Sequence, residues 1–176
     1  MCNLLRLSIC LTLIFVSDGW WWRRRSSPYR RIKSAKDYAC DILKLKNNGK
    51  LVLWDRHASG VKDSATALKN VQYTCNGLMA ARSSYRCAEC RSKPAPGGHV
   101  HISVTAMKYI YNIANKGYKL HVNEIAGACH SCTSRHYRGL AVDIHKYRHM
   151  GAKYRQECEA LSGLFIAEKN HYHCQF

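Results

Sequence analysis

The chain has 176 residues, room for one domain with one sizeable core and too few for two ordinary ones. Lysine and arginine outnumber aspartate and glutamate 28 to 11, a formal charge of +17, so the partners it suits are anionic: bacterial cell-wall polymers, sulfated glycans or acidic lipid headgroups. No run of about 20 apolar residues is present to span a bilayer, and no nucleic-acid-binding motif accompanies the charge, which argues against specific nucleic-acid recognition.

Residues 1 to 19, MCNLLRLSICLTLIFVSDG, carry one early arginine, a short apolar run and small residues near Gly19, the pattern of a secretory signal peptide. The expectation is a secreted, extracellular protein. Beyond the leader lie Cys40, Cys75, Cys87, Cys90, Cys129, Cys132, Cys158 and Cys174, an even number that predicts up to four disulfides in an oxidising compartment. Their pairing is not legible, and CAEC (87 to 90) with CHSC (129 to 132) also has the spacing of a structural zinc site. Residues 20 to 33, WWWRRRSSPYRRIK, form a basic and aromatic segment suited to a lipid or glycan interface or to a free tail. Residues 34 to 176 are expected to form a single domain.

Within that domain Ser34 caps a predicted helix over Lys36 to Leu45, and Asn47 to Lys50 is turn chemistry before a buried strand, Leu51 to Trp54. The stretch from Asp55 to Pro96 carries one plausible helix, Ser64 to Val71, among loops; Arg82 there reads as structural rather than as a substrate contact. His99 to Ile102 alternates as a strand whose histidines face solvent. Ser103 or Thr105 caps a helix ending near Lys116, with Val104, Met107, Ile110, Tyr111 and Ala114 as its buried stripe and Gly117 as its stop. A strand from Tyr118 to Ile125 follows, with Leu120 and Val122 inward. A loop then carries Cys129, His130 and Cys132. The remaining elements are a strand over Leu140 to Ile144, a helix from Ala152 to Leu161, and a hairpin whose strands are joined through Glu168-Lys169-Asn170-His171. The fold class is α+β: a small, mostly antiparallel sheet with helices on one face, stapled by disulfides.

One stretch concentrates the chemistry. In His136-Tyr-Arg-Gly139-Leu-Ala141-Val-Asp143, Leu140, Val142 and Ile144 make one apolar face, while Ala141 and Asp143 leave the other face uncrowded. The hairpin turn sets Glu168 opposite His171, and His173 shares the face of His171. His136, Asp143 and His173 therefore form a candidate set of metal ligands, two imidazoles and one carboxylate with a fourth position left for water, as in a catalytic zinc site. Glu168 is placed to take that water's proton and His171 to donate to an oxyanion.

HYRGLAVDI resembles the HxxGxAxD signature of the D-Ala-D-Ala carboxypeptidase and hedgehog metallopeptidase superfamily, and HYHC resembles the HIHC that closes the hedgehog zinc site. LHVNEIAG (120 to 127) is similar to the strand that enters that site, and SGVKDSATALKN, ARSSY and PGGHVHIS are similar to segments of secreted microbial proteins with the same element. The resemblance implies a hedgehog/DD-peptidase-like fold, one catalytic Zn2+, and a role beside the metal for His130, six residues before His136. It implies a zinc metallopeptidase acting on peptidoglycan stem peptides as a monomer, of carboxypeptidase or endopeptidase type. The alternative it implies is an inactive, hedgehog-like zinc-binding module that binds anionic glycans or a receptor. The carboxypeptidases place an arginine before the HxxG element to hold the substrate carboxylate; VNEIAGACHSC has none, and Arg135 and Arg138 lie nearest.

Overall fold

A computed structural model describes residues 32 to 176; the predicted leader and almost all of the basic segment, residues 1 to 31, lie outside the described residues. The elements in order are α1 (Ala35–Asn47), β1 (Val52–Leu53), α2 (Ala67–Cys75), β2 (Ala80–Ala81), β3 (His99–Val100), α3 (Val104–Asn115), β4 (His121–Glu124), β5 (Ala141–His145), α4 (Gly151–Glu159), β6 (Leu164–Ala167) and β7 (His171–Gln175). Short 3-10 turns cover Ala88–Cys90, His136–Arg138 and Arg148–Met150. Five strands form one sheet in the order β1-β4-β5-β7-β6, in which only the β1–β4 pair is parallel; β2 and β3 pair separately. The chain is α+β with a mostly antiparallel sheet, as its pattern predicts.

Local chemistry explains where the helices begin. Ser34 and Asp37 close a reciprocal capping box on α1, and Ser103 accepts from Ala106 N at 3.0 Å to start α3. Helix α2 begins later than Ser64 because Thr66, not Ser64, accepts the first free backbone N–H, from Lys69. The buried side of α3 is Ala106, Met107, Tyr109, Ile110, Ile113 and Ala114. Val104 is exposed, a correction to the predicted stripe: it occupies the first turn, ahead of the helix's contact with the core.

These helices share one core with the sheet face that carries Val122, Val142, Ile144, Tyr172 and Cys174. Ile42, Val71, Met107, Ile110 and Tyr154 fill the space between. Period-two alternation then leaves Asp143, His145, His171 and His173 on the opposite face of β5 and β7.

Four disulfides brace this arrangement. Cys40–Cys75 ties α1 to α2 and Cys158–Cys174 ties α4 to β7. Cys87–Cys129 and Cys90–Cys132 join CAEC to CHSC side by side, so those cysteines serve as covalent staples, and a structural zinc there is ruled out.

Strand β4 is shorter than the predicted 118 to 125 and contains an irregularity. Val122 pairs with Ile144 while Glu124 pairs with Asp143, so Asn123 is an extra residue on one side of the ladder. The bulge turns Glu124 out of the core phase set by Leu120 and Val122 and onto the polar face.

Candidate metal centre and its carboxylate network

The hairpin forms in the predicted register. Glu168 N donates to His171 O at 3.0 Å, Ile166 lies opposite His173, and His173 lies opposite Asp143 on β5. Directly opposed residues on neighbouring strands bring their side chains together, so β5 and β7 deliver one carboxylate and two imidazoles to one spot. His136 reaches it from its 3-10 turn, which ends at Gly139. Gly139 has φ +68°, and a Cβ there would sit 2.3 Å from the backbone oxygen of His101, so glycine is required between the histidine and the strand.

His136 Nδ1 donates to Ile125 O at 2.7 Å, because a carbonyl can only accept, and this leaves Nε2 as the free lone pair facing the site. Nε2 stands 3.2 Å from His173 Nδ1 and 3.2 Å from Asp143 Oδ1, and His173 Nδ1 is 2.8 Å from the same oxygen. Donors about 2.0–2.1 Å from a tetrahedral zinc stand roughly 3.3–3.4 Å apart, so the three atoms are near the spacing such an ion demands. Two buried His/Asp groups that could hold a metal ion, His130-His136-Asp143 and Asp143-His171-His173, meet at Asp143. The donor set of neutral imidazoles and a carboxylate suits a first-row dication.

Electrostatics agree with that chemistry. Burial favours a protonated Asp143, but the imidazoles of His136, His173 and His171 outweigh it and hold the carboxyl far below its ordinary range. Burial likewise disfavours a charge on His136, and Asp143 beside it more than offsets this, raising the ring above its usual value. His130 stacks on His136 with ring centroids 3.9 Å apart and planes 5° from parallel. Burial pushes His130 down to about 3, so this ring is neutral at physiological pH, and its Nε2 has no hydrogen-bond partner.

The predicted acid–base residues stand at the rim. Glu168 Oε2 lies 3.5 Å from His171 Nε2, which is itself 3.4 Å from Asp143 Oδ2; the Glu168 side chain is 46% exposed. A cavity of about 490 Å³ opens over this face, lined by Glu168, His171, His173, Asp143, His130 and, further along, Trp54 and Tyr85. Arg82 lies elsewhere and donates to Tyr137 O at 3.1 Å, the structural role its setting predicts. Arg135 donates to Phe176 O and, like Arg138, does not line the cavity.

Sequence reasoning missed a second polar cluster beside the first. Glu124 Oε2 is 2.7 Å from His57 Nδ1, and His57 Nε2 is 2.7 Å from Asp63 Oδ1. Ser83 Oγ donates to Asp63 Oδ2 at 2.7 Å and accepts from Ala128 N at 3.0 Å. Ser83, His57 and Asp63 have the residue types of a nucleophilic triad, but Ser83 is 1% exposed and its proton is already given to Asp63. The cluster is an anchor that fixes Glu124. Burial opposes the charge on His57, and Glu124 and Asp63 together outweigh it and raise the ring. Glu124 itself is raised chiefly by burial, and its Oε1 is buried without a partner. The available signal for this cluster was two acids, a histidine and a serine in segments far apart in the chain.

No protein-family model matches the chain, and neither a curated protein nor a solved structure does.

Proposed function

We propose that the protein is a secreted, zinc-dependent hydrolase of peptide bonds that acts on peptidoglycan stem peptides, in the manner of the DD-peptidase and hedgehog-type superfamily its motifs resemble. The observation that carries this reading is the meeting of His136 Nε2, His173 Nδ1 and Asp143 Oδ1 within 3.2 Å of one another beneath an open cavity, with Glu168 at the rim. His136, Asp143 and His173 would hold the ion. When bound, zinc lowers the pKa of its water towards roughly 7 and polarises the scissile carbonyl.

The chain's own residues supply the rest. Glu168 takes the proton of the attacking water and passes it to the leaving amine, from a carboxylate that is 46% exposed at the rim and 3.5 Å from His171 Nε2. His171 Nε2, between Glu168 and Asp143, donates to the oxygen that gains charge when the ring carries a proton on that nitrogen. The net charge of +17 favours approach to an anionic wall polymer. Glu168→Gln is expected to keep zinc and lower kcat by about 10²–10⁴-fold on purified peptidoglycan, read by mass spectrometry of released peptides. Full activity in that variant removes Glu168 from the mechanism.

The exposure of Glu168 favours one second reading, a zinc-bearing module that binds anionic glycans without turnover. It predicts tight retention on wall polymer and no cleavage by the wild-type protein.

A further inference from the structure

The cavity runs against the charge of the chain. Lysine and arginine outnumber the acids 28 to 11, yet among the described residues no lysine or arginine lines the cavity, while Glu89, Glu124, Asp143 and Glu168 do. Asp143 and Glu168 already have work under the hydrolase reading. Glu89 and Glu124 do not.

Glu124 is the more informative of the two. Its side chain is 5% exposed, His57 grips Oε2 at 2.7 Å, and the remaining oxygen, Oε1, is buried at the cavity wall with no donor from the protein. A buried carboxylate oxygen without a donor is costly in the folded protein, and a fixed one is ready-made for a donor brought by a ligand. Its orientation is set by His57, which Asp63, Ser83 and Ala65 N hold in turn, two segments that fix it without filling its second oxygen. Two aromatic rings, Trp54 and Tyr85, line the same cavity, and Tyr85 packs against His57 with centroids 5.8 Å apart. Carboxylates combined with aromatic faces attract a cation twice over, by charge and by the quadrupole of the rings.

We infer that the cavity receives a primary ammonium group of the peptide substrate, bound to Glu124 Oε1 with Glu89 and the rings of Trp54 and Tyr85 around it. This deepens the hydrolase reading and rests on it for the word substrate. It also divides the two types of peptidase. An enzyme that trims a terminal residue needs a fixed cation for the terminal carboxylate, and among the described residues the cavity walls offer no lysine or arginine. Carboxylates suit instead a peptide cut internally next to a lysine-like side chain or a free peptide amine.

The test uses the full, zinc-supplemented chain carrying Glu168→Gln, so that peptides survive the measurement, and isothermal titration calorimetry. Three short peptides differ in one group: a lysine peptide amide, its Nε-acetyl form, and the same lysine peptide with a free terminal carboxylate. The lysine amide should bind about tenfold or more tightly than the acetylated peptide, the worth of one charge-assisted hydrogen bond, and the free carboxylate should add nothing. Adding Glu124→Gln should erase the preference. Glu89→Gln, which leaves His57 and its partners untouched, should reduce it severalfold and serves if the Glu124 variant does not fold. Equal or tighter binding of the acetylated peptide overturns the inference, as does tightest binding of the free carboxylate. So does the finding that Glu124→Gln costs a second equivalent of zinc and leaves peptide preference intact. Because binding is read without turnover, these outcomes are distinct from failure of wild-type protein to cleave any peptide, which would overturn the hydrolase reading alone.

Discussion

Two polar clusters share the face of the sheet that the helices leave open, and they are built on opposite plans. His136, Asp143, His171 and His173 come from two neighbouring strands and the turn before one of them, and they gather several imidazoles around one carboxylate. His57, Asp63, Ser83 and Glu124 come from three separated segments and gather carboxylates around one imidazole. The first arrangement presents lone pairs converging on a point, which is what a metal ion requires. The second spends nearly all its hydrogen-bonding capacity internally and presents one oxygen. Adjacent positions on the same sheet therefore acquire different chemistry from the ratio of acids to imidazoles alone.

The largest effect expected is at Asp143. Replacing it with Ala removes the common partner of three histidines, so bound zinc, measured by mass spectrometry of dialysed protein, should fall from one equivalent to near zero. The metal-free variant should also lose stability, on the order of 3–5 kcal/mol, because buried groups are left without their counter-charge. Glu124→Gln should keep its zinc. Equal loss of zinc from both variants would merge the clusters into one site.

Next in size are the twin disulfides that brace the loop between the clusters. Cys87–Cys129 and Cys90–Cys132 close nearly the same 42-residue loop, so either bridge alone removes most of the chain entropy. Losing both should cost about 6 kcal/mol and losing one only about 2–3 kcal/mol in the loop-entropy account. Urea unfolding of the Cys90→Ala/Cys132→Ala variant against the fourfold variant measures this. A single loss of about 4 kcal/mol, the worth of an independent 42-residue loop, would contradict the sharing of one loop by the two interlaced bridges.

A smaller effect, in pH, belongs to the second cluster. His57 is raised above its ordinary value in the folded protein, so it contributes stability that is fully present below about 6.5 and fades as pH rises through the folded value. Asp63 is lowered, since its hydrogen bonds from His57, Ser83 and Ala65 N outweigh its burial, so its contribution is present above about 3.8 and fades only as pH falls through the lower, folded value. Metal-free wild-type protein should therefore lose Tm relative to His57→Gln as pH climbs from 6 to 9, by about 2–4 °C for each kcal/mol of the His57 contribution. A constant difference across that range would place no charge on His57.

How much of this was legible follows from the same contrast. The HxxGxAxD spacing, the two-residue turn at Lys169-Asn170 and the alternation of HYH belong to contiguous stretches, and their geometry follows from strand periodicity. Ser34 and Ser103 announce their helices for the same local reason. Glu124 was hidden because alternation from Leu120 and Val122 assigns it to the core, and one inserted residue, Asn123, reverses that assignment. His57 and Asp63 sit in a stretch with little periodicity, where position is set by docking: Asn70 of α2 donates to Ala81 O and accepts from Ala126 N, joining three segments. The disulfide pairs are long-range for the same reason.

His130 sharpens the boundary between the clusters and carries the smallest effect. Its ring lies flat on His136, yet no hydrogen bond joins it to a member of either cluster; its backbone N–H goes to Tyr137 Oη at 3.0 Å. Because burial keeps it neutral down to about pH 3, it adds no positive charge beside a dication, and with His136, Asp143 and His173 as the ligands its contribution to His136 is the contact area of the stack. Phenylalanine reproduces that area and removes both ring nitrogens. His130→Phe should accordingly hold zinc within about tenfold of wild type, less than the 10–100-fold that follows loss of a group hydrogen-bonded to a ligand. Any fall in kcat beyond that must then come from the ring nitrogens, of which Nε2 is buried without a partner in the protein, acting on what enters the cavity. A competitive zinc titration alongside kcat separates the two: affinity lost with kcat preserved would make His130 part of the metal's support, and the converse would assign it to the substrate.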